Sequence, residues 1–172
     1  MYRLNLTIKF MKKILLLLAV LLINVSALSA QTKVEQIAKD NFGAWGAHIG
    51  YTGWGTALGV HGDFVFNQFR GRAGADLIFG YSHFGLGLNV DMHYVFELPV
   101  EGLAIYPIAG LNAVIGGYHY DYAAFHFGVN IGAGIEYDFG NGWMIYADGK
   151  YDLNIVGYPG YYRSYFGFSK KF

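Results

Sequence analysis

Two segments of the chain alternate strictly between apolar residues and small or polar ones, and this alternation restricts the fold more than any other feature. In segment 84–96 the even positions are all aliphatic or aromatic, and in segment 125–139 the odd positions are. The positions between them carry mostly glycine, asparagine, aspartate and histidine. Because successive side chains of a β-strand point to opposite faces, each segment predicts one long strand with a continuous apolar face.

Six further segments show the same alternation, and residues that favour turns separate them. The predicted strands are 44–52, 57–66, 72–81, 84–96, 103–115, 125–139, 143–152 and 161–172. Gly140-Asn141-Gly142 is a strong signal for a tight turn, and longer connections are predicted at 67–71, 116–124 and 153–160. This pattern in a chain of 172 residues predicts one all-β domain, an antiparallel up-and-down barrel of eight strands.

The first 30 residues have the layout of a cleavable secretory signal peptide. Basic residues precede an apolar run at 14–25, and Ala27-Leu28-Ser29-Ala30 supplies the small residues of a cleavage site. The run of 12 residues is short for a membrane-spanning helix, which needs about 20. An uncleaved N-terminal anchor is the alternative. Because Met11 is itself a natural start, residues 1–10 are interpreted as an upstream extension of the reading frame.

Without its first 30 residues the chain has eight basic and twelve acidic residues, a formal net charge of −4. It has no basic patch, which argues against nucleic acid as a partner. It has no cysteine, so an oxidising compartment is permitted but a disulfide or a thiolate–zinc site is excluded. Only 20 of these 142 residues are charged, fewer than a soluble surface usually carries.

The chemistry of the non-apolar face indicates which side of the barrel faces inward. A soluble ligand-binding barrel keeps its apolar side chains inside, whereas a transmembrane barrel turns them toward lipid. Small and polar residues suit the narrow lumen of an eight-stranded barrel, and aromatic residues at strand ends suit membrane interfaces. Those aromatic residues are Phe84, Tyr94, Phe96, Phe125, Tyr137, Phe139, Trp143, Tyr151 and Tyr161. Together with the export signal, they predict an eight-stranded transmembrane β-barrel.

The chain resembles the small outer-membrane β-barrel proteins of Gram-negative bacteria, the group that includes the OmpA transmembrane domain and OmpX. The resemblance rests on the signal at 11–31, on Tyr106-Pro107-x-Ala109-Gly110-Leu111, on the Gly140-Asn141-Gly142 turn and on the last strand. The assembly signal of that family is a final strand with alternating apolar residues that ends in phenylalanine. Phe168 and Phe172 match it, but Lys170 stands where the family usually has an aromatic residue.

The resemblance implies a location in the cell outer membrane, surrounded by its lipid, and the barrel-assembly machinery as a partner during biogenesis. The chain then divides into a signal peptide at 1–30, a short periplasmic lead-in at 31–43 and an outer-membrane barrel at 44–172.

The inward positions of the predicted strands carry many polar residues. The predicted lumen residues are His48, His61, Asp63, Asp76, Asn89, Asp91, His93, Glu136, Asp148, Lys150 and Arg163, with His126, Asn130, Asp138 and Asp152 in the same phase. The turns predict that four pairs of them lie close together: His48 with His61, Asp63 with Asp76, Asp76 with Asn89, and Lys150 with Arg163. Because buried charges must be paired, we expect a hydrogen-bonded belt in which acids bind the lysine, the arginine and the histidines.

Two sharper chemistries compete with this structural interpretation. His61-x-Asp63 and Asp91-x-His93 each place two metal ligands on one face, but spacing identifies no third ligand, so no metal and no cofactor is predicted. Some small outer-membrane barrels that the chain resembles are lipid-A-modifying acyl enzymes with a serine, a histidine and an acid. Ser82, His83, His119 and Asp121 would have to supply that set here, although they are also explained as turn and loop residues.

Tyrosine-rich connections are the candidate contact surface. Tyr118, His119, Tyr120, Asp121 and Tyr158 are the candidate loop contacts, since tyrosine offers contact area at low entropic cost. The sequence therefore predicts a non-enzymatic outer-membrane protein with a structural or surface-interaction role through its exposed loops, toward an unknown extracellular ligand. A lipid-A-modifying acyl enzyme and a narrow channel are the alternatives. A wide pore is disfavoured because eight strands leave little lumen.

Overall fold

The chain folds into a closed antiparallel β-barrel. The computed structural model describes residues 41–53, 55–80, 83–118, 121–157 and 160–172, with the backbone alone at 83, 117–118 and 121–124. The strands in these ranges are β1 (Phe42–Thr52), β2 (Gly55–Phe66), β3 (Phe69–Gly80), β4 (His83–Tyr94), β5 (Phe96–Glu97), β6 (Leu103–Tyr118), β7 (Asp121–Asp138), β8 (Trp143–Val156) and β9 (Tyr161–Lys171). The predicted signal peptide and most of the predicted lead-in lie outside the described residues.

Eight strands go around the barrel, because β4 and β5 are two parts of one strand interrupted at Val95. Sequential strands pair as hairpins, β1 also pairs with β9, and β4 pairs with β6, so the sheet has no open side. The predicted eight-stranded up-and-down topology is therefore confirmed. In the part of the chain that the structure describes, no helix is long and apolar enough to cross a membrane.

The two ends of the barrel contain different parts of the chain. We call one the terminal end, because the start of β1 and the end of β9 meet there, and the N–H of Phe172 donates to the carbonyl of Gly43 at 3.1 Å. The turns at 67–68, 98–102 and 139–142 lie at this end. The connections at 53–54, 81–82, 119–120 and 157–160 lie at the opposite end.

The turn between β2 and β3 corrects the sequence interpretation. The predicted five-residue connection at 67–71 is wrong, since Phe66 already pairs with Phe69 across a two-residue turn. Asn67 lies in that turn with φ 57°, in the left-handed region that asparagine tolerates better than most residues. A two-residue hairpin turn needs such a conformation, and β3 consequently begins three residues earlier than predicted.

Other strand limits also differ from the alternation pattern. β8 continues to Val156, four residues beyond the predicted end, and only 119–120 separates β6 from β7. The predicted connection at 116–124 is therefore largely strand, and the first half of the one at 153–160 is strand as well. The predicted strand 84–96 breaks at Val95, whose N–H donates to the carbonyl of Gln68 at 2.9 Å.

An apolar belt covers the outer surface of the barrel. Leu88 is 50% exposed and Val90 is 62% exposed, which a monomer in water would not tolerate across a whole surface. Phe69 and Phe79 lie ten residues apart on β3, which corresponds to about 33 Å along the strand. Because strands of transmembrane barrels are tilted, this length spans a height of about 25 Å, the height of their apolar band. The aromatic borders are Phe42, Trp45, Phe66, Phe69, Phe96, Tyr137, Phe139, Trp143 and Phe168 at the terminal end, and Tyr51, Phe79, Phe84, Phe125 and Tyr162 at the opposite end. This arrangement confirms the transmembrane barrel fold.

A charge placed in this belt provides a direct test of it. We expect Leu88→Arg to lower the free energy of unfolding in lipid vesicles by about 2 kcal/mol, because the middle of the belt would then expose a charge to hydrocarbon. The same change at exposed Asn141, in a turn outside the belt, is the control and should cost less than about 0.5 kcal/mol. Equal effects at the two positions would contradict the assignment of the belt.

Candidate functional site

The polar interior of the barrel is the candidate functional site. All eleven predicted lumen residues lie inside: His48, His61, Asp63, Asp76, Asn89, Asp91, His93, Glu136, Asp148, Lys150 and Arg163. His126, Asn130 and Asp152 are buried there as well, and Asp138 lies at the terminal rim. Sequence reasoning missed several large interior side chains, among them Arg70, Arg72, Tyr106, Tyr146 and Tyr165, and it placed the buried Tyr161 at a membrane interface. All of these except Arg70, which fell in a predicted connection, stand in the inward phase of the predicted strands, so the phase could have identified them.

Glycines make room for this network. Gly59 pairs with His48 on one neighbouring strand and with Asp76 on the other. Gly167 likewise pairs with His48 and with Tyr146. A Cβ atom on Gly59 would lie 2.2 Å from Asp76 Oδ1 and 2.3 Å from His48 Nε2. The small residues of the inward face therefore determine where the large polar side chains can fit.

Arg72 lies at the centre of the first ion-pair cluster. Its Nε and Nη2 donate to the two carboxylate oxygens of Asp63 at 2.7 and 3.0 Å, and its Nη1 donates to Asp148 Oδ2 at 3.2 Å. The guanidinium carbon lies 4.2 Å from the ring centre of Tyr146. Tyr106 Oη donates to the other oxygen of Asp148 at 2.5 Å. The cluster joins four strands across the lumen, and the two-point contact between Arg72 and Asp63 fixes the plane of the guanidinium.

Arg70 lies one layer nearer the terminal end. Its Nη2 lies 2.7 Å from Glu136 Oε2 and 3.1 Å from His93 Nδ1. The guanidinium also lies 4.7 Å from the ring centre of Tyr106, against which the His93 ring stacks. A single arginine thus bridges opposite walls of the barrel at this level.

Asp76 is the hub of a second cluster, toward the opposite end. Its Oδ1 lies 2.6 Å from His48 Nε2, and its Oδ2 accepts hydrogen bonds from Asn89 Nδ2 at 2.8 Å and Tyr165 Oη at 2.9 Å. Arg163 Nη1 donates to Asn89 Oδ1 at 2.7 Å. Three hydrogen bonds to Asp76, together with Arg163 Nη1 at 3.7 Å from its Oδ2, compensate for the carboxylate's loss of water.

The remaining interior cations are paired in the same way. Lys150 Nζ donates to Asp91 Oδ2 at 2.7 Å, and Asn130 Nδ2 donates to Asp91 Oδ1 at 2.6 Å. Arg163 contacts Asp152 through two of its nitrogens. Within the described ranges, every buried lysine or arginine therefore lies against at least one carboxylate.

The four predicted pairs of lumen residues have different outcomes. The rings of His48 and His61 stack with centres 5.6 Å apart, Asp76 bonds to Asn89, and Lys150 pairs with Arg163 across β8 and β9. The predicted approach of Asp63 to Asp76 is wrong. Asp63 pairs with Arg72, because the two-residue turn shifts the register of β3. The correction replaces a repulsive pair of acids with an ion pair.

Two cavities lie along the axis of the barrel. A vestibule of about 960 Å³ opens at the terminal end, with Asp63, Arg70 and Glu136 at its floor and Lys171 and Phe172 at its rim. A central cavity of about 20 Å³, enough for one water molecule, is enclosed by side chains of the two clusters. Between the cavities the side chains of the network fill the lumen.

The residues of the two competing chemistries lie only partly within the described ranges. No group of three histidine, aspartate, glutamate or cysteine residues in the described ranges is arranged to hold a metal ion. Ser82 and His119 lie outside the described residues, as do the side chains of His83 and Asp121. The backbone of His83 pairs with Tyr118, and that of Tyr118 pairs with Asp121, at the opposite end.

The predicted loop contacts are only partly loop residues. Tyr118 and Asp121 belong to β6 and β7, which corrects their assignment, and His119, Tyr120 and Tyr158 lie outside the described residues. The strands reach further than predicted because their backbones pair up to the turn.

The last strand presents its predicted assembly signal outward. The rings of Phe168 and Phe172 are exposed at the terminal end of the barrel. Lys170, the departure from the family pattern, places its ammonium 5.2 Å from the ring centre of Trp143 and donates to the carbonyl of Asn141 at 3.2 Å. The charge therefore reaches the aqueous edge of the apolar belt.

Comparison with known proteins identifies the fold. No protein-family model and no curated protein matches the sequence. The N-terminal β-barrel domain of Pseudomonas aeruginosa OprF is similar, with a TM-score of 0.65 and 20% identity over 77% of this chain and 98% of that one. Neisserial surface protein A has a TM-score of 0.60 and 14% identity, covering 76% and 96%. The outer membrane enzyme PagL has a TM-score of 0.51 and 16% identity, over 75% of this chain and 99% of that one. The shared feature is the small outer-membrane barrel fold.

Proposed function

We propose that this chain, which has the fold of the small outer-membrane β-barrels, resides in the outer membrane and acts there as a non-enzymatic structural or surface-interaction protein. The observation that carries the proposal is the closed interior. Ion pairs and tyrosines leave a central cavity of only about 20 Å³, while the outside is an apolar belt. The filled middle of the lumen leaves no wide aqueous path through the barrel, so the vestibule and the rims remain as contact surfaces.

The hairpin of β6 and β7 is the most prominent contact surface at the opposite end. Pairing between β7 and β8 begins at Phe127 and Val156, so the segment 121–126 of β7 is paired with β6 alone. Six residues correspond to about 20 Å of strand. The hairpin therefore extends beyond β8, and its tip carries the tyrosine-rich sequence 118–122. Exposed strand edges and tyrosines both favour binding of another chain.

The orientation of the barrel is inferred from its chain ends, since the turns at the terminal end are no shorter than the connections at the opposite end. Both chain ends of the barrel lie at the terminal end, where β1 follows the predicted periplasmic lead-in. We assign the terminal end to the periplasm, which places the β6–β7 hairpin outside the cell.

Single cysteines test location and orientation together, since the chain has none of its own. We expect His119→Cys to react with a membrane-impermeant maleimide on intact cells. Asn141→Cys, in the turn between β7 and β8, should react only after the outer membrane is permeabilised. The reverse pattern would overturn the orientation, and recovery of both variants outside the outer-membrane fraction would overturn the location.

Two measurements separate the proposed role from its alternatives. A narrow channel predicts stepwise conductance in planar bilayers, which the filled lumen disfavours. A lipid-modifying acyl enzyme draws support from the adjacent backbones of His83 and Tyr118, and predicts acyl release that Ser82→Ala abolishes. Conductance steps or Ser82-dependent acyl release in the purified protein would each overturn the proposal.

A further inference from the structure

Three nitrogen and oxygen atoms that could bind a metal ion converge beside the central cavity, although their residues are distant in sequence. His48 Nδ1 and His61 Nδ1 lie 3.4 Å apart, and Tyr146 Oη lies 3.2 Å from each of them. Donor atoms bound to one tetrahedral Zn²⁺ at about 2.0–2.1 Å are about 3.3 Å apart. The nearly equilateral triangle therefore has the dimensions of one face of a tetrahedral metal site.

The far nitrogen of each imidazole has a partner that holds the ring in place. His48 Nε2 lies 2.6 Å from Asp76 Oδ1, so this nitrogen carries the proton and Nδ1 presents its lone pair to the triangle. His61 Nε2 lies 2.9 Å from Ser169 Oγ, and this oxygen can accept a hydrogen bond from the Nε2–H of His61. Hydrogen bonds of this kind orient histidines that bind metals and make them better ligands.

The surroundings provide space and charge for a cation. The central cavity is lined by all three donor residues and could hold a water as a fourth ligand. The carboxylates that face this cavity are Asp76, Asp91 and Asp148, and the cations that face it are Arg72 and Lys150. With the imidazoles neutral, this lining has a net charge of −1, and an ionised Tyr146 would make it more negative.

We propose that His48, His61 and Tyr146 form a site for one divalent transition-metal ion, of which Zn²⁺ is the type, inside the barrel. Two imidazole nitrogens and a phenolate oxygen suit such an ion, and binding releases the phenol proton to solvent. The site lies about two residues below the vestibule floor on β2, since His61 precedes Asp63 on the same face. The vestibule is therefore the nearest described opening to the site. The proposal goes beyond the proposed function and does not depend on it.

The test uses the full chain without an affinity tag, refolded in detergent and stripped of metal with a chelator. We expect calorimetry to show one Zn²⁺ bound per chain, and Co²⁺ to give the visible absorption of a four-coordinate ion. His61→Gln and Tyr146→Phe should weaken Zn²⁺ binding by more than about 100-fold, and Ser169→Ala by about 10-fold. His93→Gln, which changes a buried histidine outside the triangle, is the matched control and should leave the affinity within about twofold.

Each outcome decides the proposal. Circular dichroism first shows whether each variant keeps its barrel. Tyr146→Phe removes a single oxygen atom, so it remains informative if His61→Gln does not fold. Absence of Zn²⁺ binding in the wild type, or equal binding in the wild type and Tyr146→Phe, would show that the triangle is a set of hydrogen bonds only.

Discussion

Replacing Gly59 with alanine is expected to lower the free energy of unfolding by about 3 kcal/mol. The new Cβ would lie 2.2 Å from Asp76 Oδ1 and 2.3 Å from His48 Nε2, two atoms that lie 2.6 Å apart. Neither strand can retreat, because each is paired on both sides. The side chains would have to separate, which adds the cost of overpacking, about 1–3 kcal/mol, to that of loosening a buried hydrogen bond to a carboxylate.

Gly149→Ala is the matched control. Gly149 lies on a strand in ordinary extended conformation, as Gly59 does, and a Cβ there meets nothing within 4 Å. We expect its effect to stay within about 0.5 kcal/mol of zero, or to be slightly stabilising, because alanine restricts the unfolded chain. Urea titrations in lipid vesicles, followed by tryptophan fluorescence, measure both changes. Equal effects would mean that interior glycines do not determine the packing of the network.

The faces of the strands could be predicted from the sequence because each face meets a different environment: lipid favours apolar residues on the outside, and the narrow lumen favours small or polar residues on the inside. The alternation at 84–96 and 125–139 separates side chains that face lipid from those that face the lumen, and the structure keeps this phase on every strand. The closed barrel follows from the same pattern, since a sheet in lipid cannot leave an open edge.

The partners inside the lumen could not be predicted in the same way, because partners depend on register. One turn shows why: with 67–71 read as a five-residue connection, Arg70 is a loop residue and Asp63 lies near Asp76. The actual turn has two residues, so Arg70 joins the inward face opposite His93, and Arg72, already in the inward phase, lies opposite Asp63. Alternation alone carries no information about such a shift of the pairing.

The interior tyrosines were missed for a different reason. Tyr106, Tyr146 and Tyr165 are aromatic, so a rule that places apolar residues toward lipid passes over them. Their rings fill the lumen and pack against arginine and lysine, while their hydroxyls join the hydrogen-bond network. A tyrosine suits either face, since its ring is apolar and its hydroxyl is polar, so only its phase in the strand shows that it points inward.

The second large effect is expected from Lys150→Met. Lys150 Nζ donates to Asp91 Oδ2 at 2.7 Å, and both side chains are almost completely buried. After the change, Asp91 would keep the hydrogen bond from Asn130 but lose its neutralising cation. Removal of one partner from a buried pair costs about 3–5 kcal/mol, and we expect a loss of unfolding free energy in that range.

Two further variants distinguish the effect of breaking a buried ion pair from the effect of losing a lysine side chain. Lys171 and Asp138 form an ion pair of similar length, 2.6 Å, at the terminal rim, where the two side chains are 41% and 29% exposed. Lys171→Met should therefore cost less than about 1 kcal/mol, as surface ion pairs do. The double variant Lys150→Met/Asp91→Asn removes both interior charges and should recover about 2 kcal/mol of the loss, because the two positions interact. If Lys150→Met cost no more stability than Lys171→Met, water would have to screen charges inside the lumen. A barrel with a narrow water-filled channel would then describe the protein better than a barrel with a filled lumen.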